Sequence, residues 1–266
     1  MVYGFIGLGN MAGAILRGMY KSGAFAADTL CGYNRSEGKT LALQQEIGLE
    51  PCSSALAVAQ RADVVVLAVK PQMMGDVLPQ IAPALRPEQL VISIAAGKPT
   101  AYYEAAFPAE IPVVRVMPNI NAKVCAATSA VCGGRYATPE HSETAKKLFS
   151  TVGSVFVLPE AQFSVFSAIG GASGAFIHIY IDALASAGVK AGLPRALSQD
   201  IACQAVLGAA KLTQESTEHP IALCDQVCSP GGTTIEGVHT LKRLGFETAV
   251  QQAIDAIIEK DKRLAQ

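Results

Sequence analysis

The chain has 266 residues, of which 50% are apolar and only 16% are charged, and its net charge is −1. This balance excludes a disordered chain, which needs low hydrophobicity and high net charge, and it provides no basic excess for binding nucleic acid. So few charges leave two interpretations: a chain that enters a membrane, or one whose surface is covered by copies of itself.

The most apolar stretch, residues 165–181, is not expected to span a membrane. Residues such as Gly170, Ser173 and His178 interrupt it, so it falls short of the roughly 18 to 20 apolar residues that a bilayer requires. The first residues lack the basic segment of a secretory signal, and the seven cysteines form no CxxC pair. We therefore expect a cytoplasmic protein with reduced thiols and with no membrane, nucleic-acid or metal partner.

Residues 1–160 alternate β-rich runs with helical patterns, which is typical of a parallel sheet covered by helices. The clearest helix is predicted at residues 10–21, Ser36 is expected to cap the next one, and Pro71 and Thr100 are expected to start later ones. The predicted strands are residues 2–7, 29–34, 64–69, 90–94, 113–117, 128–132 and 154–158.

A glycine-rich turn follows the first predicted strand and opens the first helix. In its G-x-G-x-x-A pattern, Gly7 permits a tight turn, Gly9 lets the backbone approach a pyrophosphate, and Ala12 lets the helix pack on the strand. The helix N-terminus would then present free N–H groups and a positive dipole end to the phosphates. The turn predicts a dinucleotide site, with candidate residues Ile6, Gly7, Leu8, Gly9, Asn10 and Met11.

The end of the second strand favours NADP over NAD. A carboxylate there would bind the ribose hydroxyls of NAD, but Asp28 lies before the strand, which instead ends in Asn34, Arg35 and Ser36. Arg35 can bind a 2′-phosphate through charge-assisted hydrogen bonds, and Asn34 and Ser36 add donors. The alternative is a solvated Arg35 and a site that also accepts NADH.

Ligands bind at the carboxyl ends of the strands in an open α/β sheet, and three further strand ends carry unusual residues. Small residues and prolines there form close, stiff backbone walls, and an amide can pair with the carboxamide of nicotinamide. The candidates are Ala68, Val69, Lys70 and Pro71 on one strand end, Ala95, Ala96 and Gly97 on another, and Asn119 on a third.

The character of the chain changes after residue 160, which predicts a second, helical domain at residues 161–266. Residues 163–210 contain only four charged side chains, so these helices must be covered on most sides, and we expect a second copy to cover them. The spacing of Gly170 and Gly174 allows close approach between helices. The final helix, residues 246–264, carries one apolar stripe.

A second anion site is predicted where Ser229 and Pro230 fit the N-cap and first position of a helix. Two glycines follow, each costing about 1 kcal/mol relative to alanine in a helix, and a function would explain that cost. First-turn N–H groups without side chains are open to a small carboxylate, and hydroxyls add donors. The candidate substrate residues are Ser229, Gly231, Gly232, Thr233 and Thr234.

These motifs together resemble the pyrroline-5-carboxylate reductase family over essentially the whole chain, and the Ser229–Thr234 segment is the most specific of them. The resemblance implies reduction of 1-pyrroline-5-carboxylate to L-proline with NAD(P)H. It also implies a Rossmann-type domain followed by an all-α domain that forms homodimers and often rings of dimers.

Carried over from the family, Thr234 is the candidate catalytic residue, with a hydroxyl that helps protonate the ring nitrogen. The chain departs from the family at residues 170–176, which leaves a related cyclic imine open as the substrate. A β-hydroxyacid dehydrogenase would have Lys and Asn where this chain has His178 and Asp182, and a non-catalytic NADP sensor would not need the Ser229–Thr234 segment.

Overall fold

The computed structural model describes residues 1–264 of the chain. It divides into two compact units. Unit 1 contains residues 1–171 together with the C-terminal segment that begins at Lys260, and unit 2 contains Ala172–Glu259.

Unit 1 is built on one eight-stranded sheet with the order β3-β2-β1-β4-β5-β6-β7-β8. Its strands are β1 (Val2–Ile6), β2 (Thr29–Tyr33), β3 (Glu50–Pro51), β4 (Val64–Leu67), β5 (Leu90–Ser93), β6 (Val113–Met117), β7 (Ala127–Gly133) and β8 (Gly153–Val157). Its helices are α1 (Asn10–Ser22), α2 (Glu37–Ile47), α3 (Ala55–Arg61), α4 (Met74–Ile81), α5 (Thr100–Glu104), α6 (Pro139–Ser150) and α7 (Phe163–Phe166).

The first six strands are parallel and follow the order 3-2-1-4-5-6 of dinucleotide-binding sheets. All seven predicted strands are present, with ends shifted by at most two residues. The expected parallel sheet covered by helices is confirmed, with one exception that the sequence analysis did not foresee: β7 runs antiparallel to β6. The link between them holds only a short 3-10 turn, Ile120–Val124, whereas a parallel neighbour needs a crossover of a dozen or more residues.

Helices cover both faces of this sheet, and alternate strand residues enter two separate cores. Phe5 joins the cluster that includes Ile15 and Phe149, whereas Ile6 belongs to the cluster with Met74 and Tyr103. Because successive side chains of a strand point to opposite faces, the central strands β1, β4, β5 and β6 contribute to both layers. This double burial fixes the carboxyl ends of β1 and β4 relative to one another.

Unit 1 extends beyond residue 160, where the sequence changes character. Glu160 accepts hydrogen bonds from the N–H and the hydroxyl of Thr100, at 2.8 and 3.0 Å, and pairs with Arg115 at 3.1 Å. Phe163 and Phe166 are buried in a small cluster on the sheet. Helical residues 163–171 therefore pack with the strands, and the predicted domain boundary at residue 160 stays a prediction.

Unit 2 is wholly helical. Its helices are α8 (Ser173–Lys190), α9 (Arg195–Glu215), α10 (Pro220–Val227), α11 (Thr233–Arg243) and α12 (Phe246–Leu264), whose end belongs to unit 1. The hydroxyl of Ser198 on α9 donates to the carbonyl of Ala185 on α8 at 2.8 Å, and a Cβ at Gly188 would collide with Ser198. α8 and α9 thus pack closely as a hairpin.

The expected glycine contact between helices takes another form. Residues 167–172, between α7 and α8, form a π-helical stretch, and Gly170 within it lies against Phe166 and Thr128. A Cβ at Gly174 would meet no atom within 4 Å. Gly170 therefore lets the helix approach strand β7 rather than another helix.

Little of unit 2 is buried. Among its residues only Ala185, Ser198 and Ala202 fall in the buried class, while Ile179 is 70% and Leu207 is 61% exposed. One helical run of the described chain, Glu160–Lys190, is long and apolar enough to cross a membrane by length and composition alone, and 11% of its most apolar window is buried. The part of the chain that is poor in charge therefore forms an exposed apolar surface, and such a surface needs another chain to bury it.

Candidate active site

The glycine turn joins β1 to α1 as the sequence predicts. The N–H of Gly7 donates to the carbonyl of Tyr33 at 2.8 Å, and its φ of +93° is a conformation that favours glycine. A Cβ on Gly7 would lie 2.9 Å from the backbone carbonyl of Ala68. Gly7 therefore lets the turn pass tightly over the end of β4.

Gly9 has the opposite surroundings. It occupies the N-cap position of α1, no side chain caps the helix there, and a Cβ on Gly9 would meet no atom within 4 Å. Ala12 is 1% exposed, as expected for the small residue between helix and strand. The N-terminus of α1 is thus open to a phosphate, and the arrangement fits a dinucleotide.

A cleft of about 580 Å³ lies beside this turn, at the carboxyl ends of β1, β2 and β4. Of the predicted cofactor residues, it is lined by Ile6, Gly7, Gly9, Asn34, Arg35, Ala68, Val69 and Lys70. The lining does not include Leu8, Asn10, Met11, Pro71, Ala95, Ala96, Gly97 or Asn119. The volume is in the usual range of about 300–1,000 Å³ for small-molecule sites.

The residues outside the lining have identifiable positions. Leu8 and Ala95 are buried in the two cores, and Met11 packs against the first of them. Asn10 lines a separate cleft between α1 and the 3-10 turn Ile120–Val124, and Pro71 begins a 3-10 turn. Ala96 and Gly97 are exposed in the loop after β5.

Asn34 holds the glycine turn in place. Its Oδ1 accepts from the N–H of Leu8 at 3.0 Å, and its Nδ2 donates to the carbonyl of Ser36 at 3.0 Å. Ser36 is the N-cap residue of α2, as predicted, although its side chain makes no capping hydrogen bond. Asn34 therefore positions the backbone of this site. Its expected contact with a cofactor stays a prediction.

Three cationic side chains line the cleft, and one of them, Lys39, was not predicted from the sequence. Arg35 and Lys39 are both exposed and both line the cleft, and Lys70 is a third cation. The signal for Lys39 was its position in the first turn of the helix that directly follows Arg35 and Ser36. Asp76 and Gln80 on α4, also missed, line the cleft as well.

Asn119 is committed to contacts within unit 1. Its Nδ2 donates to the carbonyl of Gly170 at 2.7 Å, and its Oδ1 accepts from the N–H groups of Asn121 and Thr128 at 3.2 and 3.3 Å. The side chain is 8% exposed overall. Its contact with nicotinamide stays a prediction, and the structure gives it a positioning role at the link between β6 and β7.

The predicted helix start at Ser229 and Pro230 is wrong, because α11 begins at Thr233 with Gly232 as its N-cap. The N–H of Gly232 donates to the carbonyl of Ser229 at 3.0 Å, and Gly231 has a φ of +69°. Proline followed by a residue with positive φ defines a type II turn, in which glycine is required at that position. The two glycines therefore shape a turn before the helix and do not weaken its first turn.

The N-terminus of α11 is nevertheless uncapped and exposed within unit 2, and its role as an anion site stays a prediction. Gly232 offers no side chain for capping, and Ser229, Thr233 and Thr234 are exposed. The first N–H groups of a helix carry a partial positive charge and lack intrahelical acceptors. Backbone amides and three hydroxyls are thus available to one small carboxylate.

Two features define the class of this protein: a Rossmann sheet with an open, cationic dinucleotide cleft, and a separate helix N-terminus suited to a small acid. No group of three or more metal-ligating side chains occurs within residues 1–264. These features are those of a nicotinamide-dependent oxidoreductase, in which the cofactor performs the difficult step.

Comparisons with known proteins give the family. Residues 2–97 match the family model described as "NADP oxidoreductase coenzyme F420-dependent", and residues 160–264 match that for "Pyrroline-5-carboxylate reductase dimerisation". The chain is 40% identical to the pyrroline-5-carboxylate reductase of Escherichia coli (strain K12), covering 98% of this chain and 97% of that one. It belongs to the pyrroline-5-carboxylate reductase family.

Solved structures agree with this assignment. The Coxiella burnetii pyrroline-5-carboxylate reductase superimposes with a TM-score of 0.94 at 30% identity, over 99% of this chain and 98% of that chain. The Plasmodium falciparum pyrroline carboxylate reductase with NADP bound has a TM-score of 0.87 at 29% identity, over 100% and 98% of the two chains. The expected order of a Rossmann-type domain and a helical domain is confirmed.

Proposed function

We propose that this protein reduces 1-pyrroline-5-carboxylate to L-proline, the final step of proline biosynthesis, with NADPH as the hydride donor. The observation that carries the proposal is the N-terminus of α11, where the Pro230–Gly231 turn leaves backbone amides and hydroxyls open to a small carboxylate. Family membership supports the same substrate.

The cofactor cleft supports NADPH as the preferred donor. The turn at Gly7 and Gly9 fits the pyrophosphate, because the backbone around Gly9 is open and the N-terminus of α1 is uncapped. Arg35 and Lys39 supply two cations for a 2′-phosphate, and cations favour that group over the bare hydroxyl of NADH. NADH is the weaker donor in this proposal.

The first-turn amides of α11 bind the substrate carboxylate and fix the orientation of the ring. The helix dipole and the hydroxyls of Ser229 and Thr233 add to the attraction. Bound NADPH supplies the hydride, which adds to the carbon of the C=N bond, and the nitrogen must gain a proton if it enters the site unprotonated. A fixed carboxylate keeps the imine in one position while both transfers occur.

Thr234 is the candidate for handling that proton. Its Oγ1 lies in the first turn of α11, one residue beyond the start of the helix that would bind the carboxylate. From there the hydroxyl donates a hydrogen bond to the ring nitrogen and relays a proton toward it. Positioned proton donors of this kind contribute about 10²–10⁴-fold to a rate.

The test is NADPH oxidation in the presence of 1-pyrroline-5-carboxylate, followed at 1:1 stoichiometry with proline. Thr234→Ala is expected to lower kcat by about tenfold or more. Thr240→Ala is the matched control, because Thr240 lies exposed on the same helix away from the turn. Unchanged turnover in Thr234→Ala would remove Thr234 from the mechanism, and no proline in the wild type would refute the function.

The alternative of a β-hydroxyacid dehydrogenase is tested in the same assay with 3-hydroxy acids and NADP. The structure offers it little support, since Asp182 forms an ion pair with Arg195 on α9. Turnover of those acids without turnover of the imine would favour this second class.

We also propose that the protein acts in the cytoplasm as a homodimer or a larger ring of dimers. The match to a dimerisation domain over residues 160–264 supports the dimer. Within unit 2 an apolar groove of about 480 Å³, lined by residues such as Ile179, Tyr180 and Val250, lies between α8, α11 and α12. Contact with a second copy would remove this apolar surface from water, which lowers the free energy.

A further inference from the structure

Two thiols lie directly before the predicted substrate turn. Cys224 lies in the last part of α10, and Cys228 is the C-cap residue of that helix. Both cysteines are half-buried, and both line a cavity of about 210 Å³ between α10, α11 and α12. Neither has a part in the proposed reduction.

The surroundings of Cys228 keep its thiol protonated at neutral pH. Burial raises its pKa, the neighbouring Cys224 and Asp225 act in the same direction, and Lys242 opposes them. The same cavity is also lined by His239 and Glu247. Because the thiolate is the nucleophile in disulfide exchange, the pair stays reduced until an oxidant is supplied.

Oxidation of the pair would displace the turn that follows. Residues four apart on a helix have Cβ atoms about 5–6 Å apart, whereas a disulfide requires about 3.5–4.5 Å. α10 ends at Val227, so Cys228 lies outside the helix, to which its N–H is joined by one hydrogen bond to the carbonyl of Asp225 at 3.0 Å. A shift of about 1–2 Å there passes directly to Ser229, its chain neighbour.

We propose that Cys224 and Cys228 form a redox-active dithiol whose oxidation displaces the Ser229–Gly232 turn and weakens substrate binding. The kinetic part of this proposal rests on the proposed function of that turn. With glutathione disulfide as oxidant, one thiolate attacks a glutathione sulfur and releases the first glutathione. The second thiol then displaces the other, which leaves one internal disulfide and two glutathione thiols that carry the two protons.

Peptide mapping tests the bond without reference to activity. Trypsin cuts after Lys211 and Lys242, so both cysteines fall in one peptide, residues 212–242. After incubation of the whole protein with glutathione disulfide, that peptide is expected to lose two hydrogens and to regain them with dithiothreitol. Glutathione adducts without an internal bond would overturn the proposal. Cys203→Ser, at an exposed position on α9, is the control and should still form the bond.

Two readouts then test the consequence. Oxidation is expected to raise KM for 1-pyrroline-5-carboxylate about tenfold or more while KM for NADPH changes little, and Cys224→Ser should abolish the effect. Amide hydrogen exchange over residues 229–235 should accelerate on oxidation. This measurement detects displacement of the turn even in a preparation that has no enzymatic activity. A disulfide that leaves both readouts unchanged would overturn the switch. Failure of the reduced enzyme to form proline, by contrast, would refute the proposed function alone.

Discussion

Gly7 and Gly9 provide a paired test of the glycine turn, because the same methyl group meets opposite surroundings at the two positions. In Gly7→Ala the new Cβ would lie 2.8 Å from a methyl of Val69 and 2.9 Å from the backbone of Ala68, and φ is +93°. The positive φ costs about 1–2 kcal/mol for a residue with a Cβ. The overlap costs about 1–3 kcal/mol more, because the Ala68 backbone cannot give way cheaply.

The sum for Gly7→Ala is a loss of about 2–5 kcal/mol in the free energy of unfolding. At about 2–4 °C per kcal/mol for a chain of this size, that corresponds to a fall in Tm of roughly 4–20 °C. In Gly9→Ala the φ of −70° suits alanine and no atom lies within 4 Å of the new Cβ, so Tm should change by no more than about 2 °C.

Gly9→Ala should weaken the binding of NADPH even though it leaves the stability nearly unchanged. The Gly9→Ala methyl would occupy the space through which a pyrophosphate reaches the N-terminus of α1. Loss of a single hydrogen bond to a charged group costs about 1.5–3 kcal/mol, which weakens binding by about tenfold or more. Differential scanning fluorimetry without cofactor and a fluorescence titration with NADPH measure the two effects. Equal affinity in Gly9→Ala and wild type would refute the placement of the phosphates.

The remaining predictions concern cofactor choice and assembly. Arg35→Ala and Lys39→Ala should each raise KM for NADPH more than KM for NADH, since only NADPH carries the 2′-phosphate. Lys21→Ala, in the last turn of α1 and outside the lining of this cleft, should change neither. Equal effects on both cofactors would contradict recognition of that phosphate by these side chains. Size-exclusion chromatography with light scattering should give at least twice the chain mass of 27.7 kDa. A monomer at micromolar concentration would contradict the prediction that a second copy buries the exposed apolar surface of unit 2.

The first half of the fold was predictable because local signals agree with the global arrangement. The turn at Gly7 and Gly9 lies between a strand and a helix, and each signal alone would predict the same connection. β3 was not predictable, since it is two residues long and includes Pro51. The reversal at β7 also escaped prediction, because strand direction depends on the length of the link and not on the residues of the strand.

The candidate site shows where local patterns compete. Ser229 and Pro230 fit a helix start, but Pro230 and Gly231 also fit a turn, and the turn is what forms. Sequence cannot decide between them, since both patterns place proline at the same φ. Asn119 is a similar case, since an amide at a strand end can serve a ligand or the backbone, and here it bonds to Gly170.

The π-helical stretch at residues 167–172 constrains how this chain can change during evolution. A π turn holds about one more residue than an α turn, and each residue of an α-helix advances by about 100°. Deleting one residue there would restore α geometry and would move the residues after the deletion by about that angle around the helix axis, relative to the residues before it. Substitutions leave the angle unaltered. Selection should therefore tolerate exchange of residues in this segment far more readily than a change in its length.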